Sequence, residues 1–356
     1  MRILITADLH FSNKLPYSKI VENGETDRIR FQTDLVWQIG NIADEYCAEA
    51  VMILGDIFDS RMVDAITLDL ALESLVRLSD STPVYLLSGN HEAVSVSVGR
   101  FLPQVARHIT NLRVMEKPFV LKEDTDVEFF PVNWCTSDLA KERILGFRRR
   151  RKKSILLLHH AINGGFSGGW KCDGELSLED IGTDWEVVFS GHFHEPQSLG
   201  NGLIHYVGAP MCHSFSDLDR DRGVIIFDTE RSEITRVGTE HPRFYVFDYS
   251  DMKSKGLDLS ILKPGDLVRI DITATNSEYI KEKVLLDEIL NKISITGATA
   301  KIAYNPKPDI INRLSEVRGG GLYRAIIDSY LDAGYGEDDR EELSKMGNLY
   351  LEAARG

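Results

Sequence analysis

The chain has 356 residues, enough for one large domain with a real core plus a smaller unit. A net charge of −14 argues against broad nonspecific attraction to nucleic acid, although metal ions in a carboxylate-lined site still bind phosphate locally on an acidic protein. No run approaches the roughly 18 uncharged apolar residues of a membrane helix, and Met1-Arg2-Ile3-Leu4-Ile5 leading straight to Asp8 argues against a cleavable leader.

In chain order, residues 3–7, 51–54 and 84–87 read as buried strands. The segments around 28–47 and 64–79 between them have helical spacing, with Leu68, Leu72, Leu75 and Val76 on one face of the second. This alternation predicts parallel strands with helices outside and a site at the strands' carboxyl ends. From about 112 the chain becomes strand-rich, at 127–130, 155–158, 187–189 and 224–227. These predict a second sheet packed on the first, a sandwich flanked by helices that closes near residue 235.

A smaller α+β unit is expected over 240–306, with strands at 244–247, 267–270 and 302–304 and a helix over 277–291 opened by Ser277. A linker over 307–321 ends in Gly319-Gly320-Gly321. Two amphipathic helices follow, about 322–333 and 339–354, presenting Leu322, Ile326 and Leu331, then Leu343, Met346, Leu349 and Tyr350. Such a hairpin packs on its own body or offers its apolar face to a partner. Cys47, Cys135, Cys172 and Cys212 are widely spaced and form no CxxC pair, which predicts reduced, buried thiols in a cytoplasmic protein and fits a bacterium or a phage-infected cell.

Six of the ten histidines sit in four clusters, each directly after a strand-like run: Asp8-Leu9-His10, Gly89-Asn90-His91-Glu92, His159-His160 and Gly191-His192-Phe193-His194. A fifth cluster, Gly55-Asp56-Ile57-Phe58-Asp59, lacks histidine. Carboxylate, amide and imidazole in this mix suit borderline divalent metals such as Mn²⁺, Fe²⁺ or Zn²⁺. Asp56 is the bridging candidate of a two-metal hydrolytic site. Asp8, His10 and His194 complete one metal; Asn90, His159 and His192 complete the other. Residues two apart on an extended segment point the same way, so the Asp8/His10 and His192/His194 pairs can each reach one site. Gly55, Gly89 and Gly191 each precede a ligand where a side chain would crowd a tight turn.

His160 reads as a neighbour of the ligand, with an exchange between His159 and His160 left open. His108, His205, His213 and His241 read as structural or surface residues, and Glu92 as serving its turn. Asp59 either caps a following helix or orients His91 through its carboxylate. His91 is placed as the group that protonates or stabilises a leaving oxygen. The basic run Arg148-Arg149-Arg150-Arg151-Lys152-Lys153 is either a solvated loop or a phosphate contact close to the site.

Asp8-x-His10, Gly55-Asp56-x-x-Asp59, Gly89-Asn90-His91-Glu92, His159 and Gly191-His192-x-His194 resemble the signature of calcineurin-like metallophosphoesterases. Gly55-Asp56-Ile57-Phe58-Asp59-Ser60-Arg61, with Tyr206-Val207-Gly208-Ala209-Pro210 and Ser214-Phe215-Ser216-Asp217 after the last histidine motif, is similar to the SbcD-type nuclease subunits of double-strand-break repair, tailed-phage relatives included. The motif match covers residues 8–217; beyond about 240 the likeness is one of layout. Ala209 stands where serine is more usual, and Asp59 where some relatives carry histidine. The absence of Asp-Arg-Gly after Asp59 counts against a protein phosphatase.

The resemblance implies a two-sheet sandwich (1–235), a small capping, DNA-binding domain (240–306) and a C-terminal helical hairpin (322–356) that grips an SbcC-type ABC ATPase. It further implies a homodimer, two Mn²⁺ ions, 3′→5′ exonuclease action on duplex DNA and endonuclease action on single strands. The alternative function is a small-molecule phosphodiesterase or nucleotidase on the same metal site.

Overall fold

The computed structural model describes residues 1–13, 18–60, 62–93, 106–217, 221–256 and 258–307. The expected helices at 322–333 and 339–354, and the linker beyond Lys307, lie outside the described residues. The chain divides into two units: Met1–Tyr245 with Gly265–Leu267, and Val246–Pro264 with the chain from Val268 onward.

The first unit opens with β1 (Arg2–Thr6), α1 (Asp27–Glu45), β2 (Ala50–Leu54), α2 (Ala65–Ser81), β3 (Val84–Leu87), the one-turn α3 (Asn90–Ala93) and β4 (Leu112–Val114). The four strands are parallel in the order β1-β2-β3-β4, with Ile3–Thr6 in register with Ala50–Ile53. Then come β5 (Val127–Val132), α4 (Ser137–Gly146), β6 (Lys153–Leu158), α5 (Leu178–Ile181), β7 (Val187–Ser190), β8 (Gln197–Leu199) and β9 (Ile204–Tyr206). They form a second sheet in the order β8-β9-β7-β6-β5, parallel except for the edge strand β8. The hairpin β10 (Gly223–Asp228) and β11 (Glu233–Gly238) returns to the first sheet and adds antiparallel beside β1.

The period-2 alternation of side chains decides the layering. Ile3, Ile5, Met52, Leu54 and Leu87 face between the sheets, against Phe129, Ile155, Leu157, Val187 and Phe189. Leu4, Val51, Ile53, Val84 and Leu86 face the other way, onto Ile29, Val36 and Ile39 of α1 and Leu75 and Leu78 of α2. On the outer side of the second sheet, Phe130, Leu156, Leu158 and Val188 meet Ala140, Ile144 and Trp185. Because both faces of each sheet are covered, the strands read as unbroken apolar runs.

The α2 face differs from the expected stripe. Ala71, Leu75 and Leu78 are buried, whereas Leu72 and Val76 lie at the boundary. The small residues Ala71 and Ser74 let the helix sit closer and rotate the contact stripe. Its N-cap is Asp64, whose carboxylate accepts from the Thr67 amide at 3.1 Å, so Asp59 is not the cap. All four cysteines are free thiols, but only Cys212 is buried as expected; Cys47 is exposed and Cys135 and Cys172 are half-buried. No helix among the described residues is long and apolar enough to cross a membrane.

The second unit holds α6 (Tyr249–Lys255), α7 (Asn276–Ile295) and, apart from Phe244, Tyr245 and Leu267, a three-stranded sheet in the order β12-β13-β14 (Phe244–Asp248, Leu267–Ala274, Thr299–Pro306). The cap of α7 is Thr275 rather than Ser277. Thr275 Oγ1 accepts from the Glu278 amide and the Glu278 carboxylate from the Thr275 amide, a reciprocal pair that starts the helix earlier than expected.

Candidate metal centre

Five strands deliver the donors. Asp8 and His10 follow β1, Asp56 follows β2, Asn90 and His91 follow β3, His159 follows β6, and His192 and His194 follow β7. The turns are tight: a Cβ on Gly55 would collide with the His159 ring, and one on Gly191 with the Leu54 carbonyl and the same ring. Asp8, His10, Asp56 and His192 hold left-handed backbones at φ 55°, 48°, 50° and 89°. That region costs a non-glycine residue energy, and Asp and His are among the side chains that occupy it most readily.

The donors gather into two groups that meet at Asp56. On one side His194 Nε2 lies 3.0 Å from His10 Nε2, and His10 Nε2 lies 3.8 Å from Asp56 Oδ2. Asp8, His10 and His194 offer converging atoms there. On the other side His159 Nε2 is 3.2 Å from both Asp56 Oδ2 and Asn90 Oδ1, and His192 Nδ1 is 3.1 Å from Asn90 Oδ1. Two donors on neighbouring corners of a metal with bonds of about 2.1 Å stand about 3.0–3.4 Å apart. The nearest pairs therefore have the spacing of ligand edges, and the nitrogen–oxygen mixture suits a borderline divalent ion. The residues fit a two-metal centre.

Their supports fix ring orientation. His159 Nδ1–H donates to the Leu54 carbonyl at 2.6 Å, leaving Nε2 for the centre. His194 Nδ1–H donates to the Asp217 carboxylate at 3.1 Å, which leaves its Nε2 facing His10. Gln32 holds the His10 carbonyl at 2.5 Å, and His213 Nε2–H donates to the Asp8 carbonyl at 2.9 Å. Glu92 is fully buried and accepts the amides of Asp56 (3.0 Å), Phe58 (3.0 Å) and Gly89 (2.9 Å), so one carboxylate ties the second strand's loop to the third's. Of these supports the sequence marked Glu92 as a turn residue, His213 as a structural or surface histidine and Asp217 as part of the motif after the last histidine cluster, without indicating a partner for any of them. Gln32, His213 and Asp217 lie 22 or more residues from the carbonyl or ring they hold, and no local pattern pairs them with it.

The buried charges of the centre act strongly on one another. Burial works to raise the Asp56 carboxyl, but the His159, His10 and His91 imidazoles overcome it and hold it well below the usual range. Burial disfavours charge on His159, yet Asp56, hydrogen-bonded to it, and Asp8 push it up to about 10. Burial and the His159 charge push His192 down to about 3, and burial with the His194 charge holds His10 well below its usual value. Burial raises Asp8 to about 6, and burial with the Asp56 charge raises Glu92 to about 7.

All seven expected ligands, Asp8, His10, Asp56, Asn90, His159, His192 and His194, come together. Of the adjacent histidines, His159 faces the other donors. His160 turns its Nε2 to the Cys135 backbone, and burial beside His159 pushes it down to about 4. His91 Nε2 lies 3.8 Å from Asp56 Oδ2 on the solvent side. Its Nδ1–H donates to the Asp59 backbone carbonyl at 2.7 Å. The Asp59 carboxylate, expected to orient His91, instead lies 3.6 Å from His10 Nδ1.

The basic run is far less free than its sequence suggests, and it flanks the amino end of β6, opposite His159. Arg149 pairs with Asp184 (3.2 Å) over the Trp185 ring, Arg151 with Glu123 (2.9 Å) and Lys152 with Asp126 (3.2 Å). Lys153 donates to the Thr229 and Glu230 carbonyls. A phosphate contact beside the metal centre is ruled out for these residues by the length of the strand between them.

The calcineurin-like phosphoesterase family model matches residues 1–196, more than half of the chain. Exonuclease subunit 1 of Enterobacteria phage T4 is 26% identical over 319 residues, covering 85% of this chain and 86% of the phage protein. The SbcD component of the SbcCD nuclease from Bacillus subtilis (strain 168) is 24% identical over 272 residues, covering 65% of this chain and 67% of that one. Among solved structures, a dimetal phosphatase from Danio rerio superposes loosely, with a TM-score of 0.38 at 11% identity over 58% of this chain and 87% of its own. The chain belongs to the calcineurin-like phosphoesterase family and is a metal-dependent phosphodiesterase.

Proposed function

We propose that this protein is a DNA nuclease of the SbcD and phage-exonuclease type, with Mn²⁺ as the metal. It degrades duplex DNA 3′→5′ and cuts single strands, working as a homodimer with an SbcC-type ATPase bound by residues 322–356. Residues 240–306 act as the capping, DNA-binding domain. The observation that carries the reading is the pair of donor groups meeting at Asp56, in a chain whose relatives over most of its length are named nucleases.

Asp8, His10, Asp56 and His194 would hold one ion, and Asp56, Asn90, His159 and His192 the other. A pair of divalent ions supplies Lewis-acid stabilisation of charge on a phosphodiester and lowers the proton affinity of water. Asn90, on the second group, also contacts the phosphate. The Asp59 carbonyl keeps the His91 Nδ1–H in place, so Nε2 faces the reacting group and hands a proton to the leaving oxygen. The sandwich holds Asp56 and Asn90 at fixed separation through Glu92, so little reorganisation accompanies the reaction.

The test is digestion of end-labelled linear duplex and single-stranded DNA with Mn²⁺, wild type beside His91→Ala. Stepwise metal-dependent shortening by wild type alone supports the assignment. Hydrolysis of a small phosphodiester without any DNA cleavage, with or without an ATPase partner, would move the enzyme to the small-molecule class.

A further inference from the structure

Between His159-His160 and β7 the chain throws out a short hairpin, Phe166–Ser167 paired with Trp170–Lys171. Its tip is Gly168-Gly169, both at positive φ (58° and 83°), the backbone of a two-residue turn that only glycines enter freely. The hairpin is held firmly at its base. Gln197 accepts from the Phe166 amide and donates to the Phe166 carbonyl, each at 2.7 Å. Cys172 N–H donates to the Gly165 carbonyl at 2.8 Å, and the outgoing strand returns to Ala161 through Glu175 and Leu176.

This base packs on the residue between two of the donor histidines. A Cβ on Gly165 would collide with the Phe193 ring. Phe193 sits between His192 and His194, with its ring centroid 5.3 Å from that of His192. At the tip, a Cβ on Gly168 would stand 4.0 Å from Ser216 Cβ, next to the Asp217 that holds His194. Register puts Trp170 opposite Ser167 and Phe166 opposite Lys171, so the two aromatics occupy different faces. Trp170 is 80% exposed. A large ring displayed on a pinned turn contributes little to folding, and its open π-face is suited to a flat, sequence-tolerant partner.

We propose that Trp170 is a stacking contact for an unpaired nucleobase of the DNA strand bound at the metal centre. The proposal rests on the nuclease reading and adds a determinant to it: the enzyme prefers strands that are single or frayed beside the scissile phosphate. The tip's approach to Ser216, beside the Asp217 that holds His194, selects the occupant: the hairpin stands next to the donor cluster that receives the phosphodiester.

The experiment measures binding of a 5′-labelled single-stranded oligonucleotide by the full chain, with Ca²⁺ supplied as the metal, for wild type, Trp170→Ala and Trp170→Phe. Trp170→Ala weakens binding roughly tenfold, Trp170→Phe recovers most of it, and blunt duplex changes less than about twofold. A scan with one abasic nucleotide then isolates stacking from folding. At one position the abasic site costs wild type as much as Trp170→Ala does, and costs the variant nothing more. Unchanged affinity in Trp170→Ala, or equal abasic penalties for both proteins at every position, overturns the proposal while leaving the nuclease reading intact. A wild type that binds no oligonucleotide overturns both.

Discussion

The two ends of the six-residue strand β6 carry opposite kinds of charge-bearing chemistry. At the amino end the basic run lies on the surface, and Arg149, Arg151, Lys152 and Lys153 each have a carboxylate or carbonyl partner. At the carboxyl end His159 is fully buried among Asp8, Asp56 and Asn90, groups that a cation would satisfy together. Exposed pairs of the first kind contribute about 0–1 kcal/mol each and are easily exchanged for water. Buried donors of the second kind are costly to leave without a counter-charge. Density of charge along a sequence is therefore a poor guide to function, whereas convergence of buried donors from separate strands is a good one.

The contrast can be broken most decisively at its strong end. Asp56→Asn should abolish cleavage and reduce bound metal below two ions per chain, read by elemental analysis after desalting; undiminished activity would remove Asp56 from the centre. His91→Ala should keep both metals and lose about 10²–10⁴-fold in rate. Should it retain both metals and full rate, the leaving oxygen finds its proton elsewhere. Glu92→Ala strands three buried amides and should cost about 3 kcal/mol of stability, visible as a lowered first unfolding transition.

Metal binding sharpens the comparison through protons. Below about pH 10 the metal-free protein keeps a proton on His159, and a metal ion must displace it. Metal affinity should accordingly rise with pH between about 6 and 9, with about one proton released from this residue in calorimetry across buffers of different ionisation enthalpy. The weak end should respond least. Arg151→Ala should lower DNA affinity less than about threefold and leave the salt dependence nearly unchanged, since its charge is already paired.

The strands and the donors at their ends were legible because both signals are local: an apolar run, a glycine, then ligand residues within a few positions. Local signals also explain the errors. Ser277 and Thr275 are both acceptable caps, and only the reciprocal bond with Glu278 separates them. Asp59 lies close enough to His91 to suggest a carboxylate contact, but the turn presents its carbonyl instead. The supports contributed by Gln32, His213 and Asp217 come from other elements, and tertiary packing alone pairs them with the donors. The aromatic hairpin is hard to read in the sequence because two-residue strands have no periodicity, which leaves the Gly168-Gly169 turn as its one signal.

The left-handed turns at Asp8, His10, Asp56 and His192 carry a consequence for descent. Those positions hold side chains where glycine would be more comfortable, so selection for catalysis works there against selection for folding. A lineage in which cleavage ceased to matter would lose these four residues to glycine or asparagine early, while Ile3, Ile5, Met52 and Leu54 stayed apolar. Such a descendant would be a sturdier protein than its ancestor, recognisable by an intact sandwich with vacant strand ends.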